Sequence, residues 1–355
     1  MRAGLMLYGC ALCIALAGCA EPKKTFRISE LPDRRDGDWP VWPKGAQIPR
    51  FVYVGDLTGE ANFVGDEAAS RASGFVAWLV GLGREVADPQ VLRRPQGVAE
   101  GADGAIWVSD VSRQAVFLFD TLGGSLRIID SFDDTRRFKA PVGLAPLPDG
   151  GVIVSDAELG LLVRLDHMGQ SVGVLAEGLF GRPTGLAYDA ASGRLFVADT
   201  RRNRVDVIDL EGQLQYTIGA EGDAAGQLNA PTYIALASGH LYVTDTLNAR
   251  IQVFDIDGTA VRQIGERGLY VGNLTRPKGV AVSDEGLVFI VESYYDHLLI
   301  FDDQGHLLLP IGGTGQRPGQ FYLPSGVWAG QGGRVYVADM FNGRVSILQY
   351  LGEGQ

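Results

Sequence analysis

The chain has 355 residues, 46% of them hydrophobic, and its 31 basic and 42 acidic side chains give a formal charge of −11. That balance excludes bulk electrostatic binding of long anionic polymers such as nucleic acid. Cys10, Cys13 and Cys19 all precede the region that reads as folded, which leaves that region without a disulfide, a thiol nucleophile or a thiolate metal site.

Arg2, the apolar stretch from Leu5 to Ala17 and the ending Leu16-Ala17-Gly18-Cys19 read as a secretion signal rather than as structure. Leu-Ala-Gly-Cys resembles the lipobox of bacterial lipoproteins. The resemblance implies removal of a signal peptide, residues 1–18, and acylation of Cys19 by several chains, which together hold a protein stably on a membrane. Ala20, where inner-membrane retention would want aspartate, implies an outer-membrane address facing the periplasm. Residues 19–47 carry Pro32, Pro40 and Pro43 among charges and read as a flexible tether. The folded unit is expected over 48–355.

Within that unit, residues 48–56 read as a strand, because the stretch Arg50–Phe63 resembles the outer strand and exit loop at Leu214–Leu228. Residues 66–83 break the strand pattern. Asp66 suits a cap, and Ala69, Ala72, Val76, Leu79 and Leu82 recur at helical spacing, which predicts one short helix.

From residue 94 to the end, six copies of one pattern follow at intervals of 42 to 48 residues. Each opens on Pro-x-Gly (Pro95, Pro141, Pro183, Pro277 and Pro324, with Pro231-Thr232-Tyr233 the deviant). A β-branched or aromatic run then closes on an acid, at Asp110, Asp156, Asp199, Asp245, Glu292 and Asp339, and a third run ends in Asp-x-x-Gly or, last, in Gln349 with Gly352. Alternating segments such as "RLFVAD" and "RVDVID" have the period of strands, and the glycines and acids between them suit tight turns. Each copy is a four-stranded meander that cannot bury its faces alone, so the fold class is all-β, a six-bladed β-propeller. The last copy ends before a fourth strand, and the expectation is that the strand at 48–56 completes it and closes the ring.

"FVADTRRNRVDVID", "YVTDTLNARIQVFD" and "YVADMFNGRVSIL" resemble NHL repeats, and the resemblance covers residues 94–355. It weakens where Ala115, Leu161 and His297 replace the recurrent arginine. NHL propellers generally bind proteins, ligands or RNA through one face, and a minority are enzymes. In the amidating-lyase branch, histidine ligands sit between the proline and the small residue of Pro-x-Gly, where this chain has Gln96, Val142, Thr184, Thr232, Lys278 and Ser325. Glu292 and Asp296 alone do not assemble the acid set of a calcium-dependent hydrolase. The reading therefore names no catalytic residue, no metal site and no cofactor.

Residues common to nearly every copy serve folding, and on this test the six acids are turn caps; Arg204, Arg250 and Arg344 are expected to form salt bridges within or between blades. What is peculiar to single blades is basic or aromatic. Arg94, Arg182 and Arg276 precede the prolines of blades 1, 3 and 5, Lys278 follows one of them, and Tyr233 replaces a glycine. These five are the candidate site for a small anionic ligand or an envelope protein partner. The function expected is non-catalytic binding or scaffolding by a monomer held to the membrane through its lipid, without nucleic acid; the alternative is an envelope hydrolase or lyase working at the channel mouth.

Overall fold

The computed structural model describes residues 24–28, 40–45, 48–65 and 89–352. The signal and lipidation segment, most of the tether and the helix expected at 66–83 lie outside the described residues. Those described are all-β: six antiparallel sheets in sequence order form a six-bladed propeller, and the helical turns present are single 3-10 turns such as Thr246–Asn248 and Met340–Asn342.

Each blade begins at the channel with the strand that opens on its proline: Pro95–Glu100, Pro141–Pro146, Pro183–Asp189, Pro231–Ala237, Pro277–Val282 and Pro324–Ala329. These inner strands touch in cyclic order, the last against the first. In all six blades the pairing of first and second strands shifts register at the opening Pro-x-Gly or, in blade 4, Pro-x-Tyr. Proline lacks the N–H that a ladder needs, so it belongs at the first residue of a strand or at a bulge, and here it occupies both. The glycine has its own reason. A Cβ on Gly97 would lie 2.3 Å from the Val142 carbonyl oxygen, and one on Gly185 would lie 2.6 Å from Tyr233 Cα, so glycine lets neighbouring inner strands approach.

The hydrophobic core is divided among the joints between blades. Trp107, Phe138 and Val154 fill the joint of blades 1 and 2, for example, and Phe196, Leu228 and Phe254 that of blades 3 and 4. In the last sheet, Arg344–Tyr350 pairs antiparallel with Phe51–Leu57, which in turn pairs with Val41–Trp42. Phe51 and Tyr53 pack into the joint of blades 5 and 6, and Leu57 into that of blades 6 and 1. Asp56 accepts hydrogen bonds from Arg344 Nη1 at 3.1 Å and Ser346 Oγ at 2.9 Å, tying this strand to the last one by charge as well as by backbone.

Candidate functional site

The six closing acids hold the start of each inner strand. Asp110 accepts from the amides of Arg93 and Arg94, at 2.6 and 2.8 Å, and from those of Ser112 and Arg113 in the turn it caps. Glu292 does the same with Thr275, Arg276, Tyr294 and Tyr295. Carboxylates saturated by fixed backbone donors are structural. In blades 4 and 6 the recurrent arginine joins them: Arg250 Nε lies 2.7 Å from Asp245 and Arg344 Nε 2.8 Å from Asp339. Arg204 departs from that pattern. It lies 2.7 Å from Asp206 on its own strand, a buried carboxyl pushed up chiefly by burial and further by Asp199, against the pull of Arg204.

Of the five candidate residues, the structure brings three together electrostatically. Lys278 is half-buried and makes no hydrogen bond or ion pair among the described residues. Its ammonium is pushed down first by burial and then by the positive charges of Arg276 and Arg182. Arg182 is exposed, and its side chain is likewise unpaired among the described residues. Arg276 leans on Ser293, Nε to Oγ at 3.1 Å. Arg94 stands apart, its guanidinium 4.8 Å above the ring of Phe341.

Tyr233 does not share this mouth as an exposed group; it is 9% exposed and crosses the channel. From blade 4 its hydroxyl donates to the Gln96 carbonyl of blade 1 at 2.9 Å and shares a 2.6 Å hydrogen bond with Ser325 of blade 6. Burial pushes the phenol up to about 12. The side chain is thus a septum. Beyond it lies a cavity of about 360 Å³ lined by the later residues of the inner strands, among them Leu144, Leu186, Ile234, Val327 and Trp328. Among the described residues, Asp284 is the one charged residue in that lining. The basic mouth and this cavity open toward opposite ends of the channel, since inner strands run from their prolines at one end to the first hairpins at the other.

Among the described residues, no three His, Cys, Asp or Glu side chains cluster as a metal site. A second cavity, of about 200 Å³, lies beside blade 5 between Tyr270 and His297, and none of the expected site residues lines it. The signal available was the exchange of the recurrent arginine for His297.

Comparison with known proteins agrees with this architecture. Residues 180–208 match the NHL repeat family. No curated protein matches the chain. Among solved structures, a streptogramin B lyase superposes with a TM-score of 0.54 at 15% identity, covering 73% of this chain and 94% of the lyase. A protein of unknown function from Bacteroides thetaiotaomicron gives 0.59 at 13% identity, over 73% of this chain and 70% of that one. A chain of a nidogen/laminin complex gives 0.52 at 17% identity, over 69% and 84%. At these identities the likeness is one of fold, and a fold of this kind occurs in a lyase and in a nidogen/laminin complex alike.

Proposed function

We propose that the chain is a non-catalytic binding protein of the bacterial envelope whose basic channel mouth receives an anionic group, on a small ligand or on a protein partner. The observation that carries this reading is Lys278. An ammonium half-withdrawn from water, with arginines rather than acids as its charged neighbours, is a cost to the fold that a bound carboxylate or phosphate would offset. Arg182 and Arg276 supply planar donors beside it, suited to bidentate recognition.

The test is a calorimetric titration of the soluble chain with citrate and with inorganic phosphate at low salt. Lys278→Met is expected to weaken binding by about tenfold or more, the loss of one charge-assisted contact. Charge reversal of Arg182 and Arg276 together is expected to abolish it, and reversal of Arg94, which stands apart, to leave it nearly unchanged. Equal affinity in wild type and all variants would sink the proposal.

The address is part of the same reading: a lipid on Cys19 and the tether at 19–47 would hold the propeller at the outer membrane. Cys19→Ala is expected to move the protein from the membrane fraction to the soluble one. Retention of the variant in the membrane would refute the anchor.

A further inference from the structure

Three of the linkers that lead from one blade to the next fold alike, which allows a comparison inside one molecule. Residues 221–228, 267–274 and 314–321 each close with a bridge between their first and last members. In each, an amide donates three residues back: Gln227 to the Ala224 carbonyl at 3.0 Å, Asn273 to Tyr270 at 2.9 Å, and Gln320 to Arg317 at 2.9 Å. In blades 4 and 6 the recurrent arginine reaches into the adjoining linker. Arg250 Nη2 donates to the carbonyls of Ala224 and Gln227, both at 2.9 Å, and Arg344 Nη2 to those of Arg317 and Gln320, at 3.3 and 2.8 Å. Each of these arginines pairs across the sheet with the closing acid, Asp245 or Asp339.

In blade 5 the residue paired with the closing acid Glu292 is His297. An imidazole is too short to span to the linker, and the His297 side chain makes no hydrogen bond or ion pair among the described residues. The cavity of about 200 Å³ stands in this place, walled by Tyr270, Asn273, Glu292, Tyr295 and His297. Neither the Tyr270 nor the Asn273 carbonyl accepts a side-chain hydrogen bond among the described residues, and Tyr270 accepts the turn amide. Glu292, 1% exposed, has both oxygens held by backbone amides and makes no ion pair among the described residues, whereas Asp245 and Asp339 each turn one oxygen to the arginine. Tyr270, 83% exposed, and Tyr295 offer aromatic faces at the opening.

We propose that this pocket receives a guanidinium group, carried by an arginine side chain of a partner polypeptide. The two linker carbonyls and a closing acid recur here, at Tyr270, Asn273 and Glu292, without the arginine that joins them in blades 4 and 6. The carbonyls of Tyr270 and Asn273 would accept its N–H donors, the buried Glu292 charge would attract it, and the tyrosine rings would stack on its plane. Leu269 and Val271, exposed at the same opening, would contact residues flanking the arginine, which favours a polypeptide over a free guanidinium compound.

The full-length protein, solubilised with its anchor, is titrated with three probes followed by NMR: N-acetyl-arginine amide, its citrulline counterpart, and the peptide acetyl-Leu-Arg-Leu-amide. Saturable binding of the arginine probe, at least about tenfold weaker binding of neutral citrulline, and tighter binding of the peptide are the expected results. His297→Arg should refill the pocket with the arginine of the repeat, fold at an equal or higher Tm and lose the arginine probe altogether. Glu292→Gln should weaken it about tenfold or more. Binding that survives His297→Arg, citrulline that binds as well as arginine, or no saturation by the arginine probe would overturn the proposal; a peptide no tighter than the amide would overturn the polypeptide assignment.

Discussion

Replacing Phe51 and Leu57 together by alanine is expected to remove about 5 to 10 kcal/mol of unfolding free energy, the sum of two large core truncations. The two sites lie far enough apart along one strand for their effects to add. Phe51 sits edge-on to Phe289 at 6.1 Å and near Tyr350 at 5.0 Å, while Leu57 packs with Val345, Ile347 and Ile106. One strand therefore plugs two joints between blades. A loss of this size approaches the whole stability of an ordinary domain, and the variant should also associate through the exposed edge of Arg344–Tyr350. Urea unfolding with light scattering measures both. A loss under about 2 kcal/mol with no association would mean that the ring does not depend on this strand.

Tyr233→Gly restores the glycine found at this position in the other five repeats, yet it is expected to destabilise the protein by about 3 to 5 kcal/mol. The aromatic ring fills the channel, and its hydroxyl links blade 4 to blades 1 and 6. Tyr233→Phe separates the two contributions, with an expected loss of about 1 to 3 kcal/mol from the unmade hydrogen bonds. The phenol also has a signature in pH. Its folded pKa is raised to about 12 by burial, so its stabilisation is complete below the unfolded value near 10 and fades as pH climbs from there toward 12. Tyr336, also raised to about 12 by burial and by Glu100, contributes a similar alkaline slope. Tyr233→Phe should therefore flatten the loss of stability above pH 10 without removing it. An unchanged slope would mean that Tyr233 is not the buried septum described here.

The repeat was legible in the sequence because turn chemistry is local. An acid that caps a turn, a glycine in a hairpin and a proline at the head of a strand each declare themselves within a few residues. Sites that depend on what faces what across the ring did not. That Tyr233 breaks a run of glycines is visible in one line of sequence, but its reach to Gln96, 137 residues away, is set by ring closure. Arg204 pairs within its blade as expected, but which acid it takes was not legible: Asp206, two residues on, and not the closing acid that Arg250 and Arg344 take. The blade-5 pocket was hidden for a different reason. It is formed by a side chain that stops short, and only the hydrogen bonds of its sister blades show what the space would hold.

The anion-binding account rests on Lys278, whose own titration, followed through the Nζ resonance in NMR with and without phosphate, tests it most directly. In the free protein the ammonium should titrate below the usual lysine range, since burial and the charges of Arg276 and Arg182 disfavour its charged form. A bound anion favours that form, so phosphate should move the titration upward. A Lys278 that titrates like a solvated lysine and does not respond to phosphate would contradict the account.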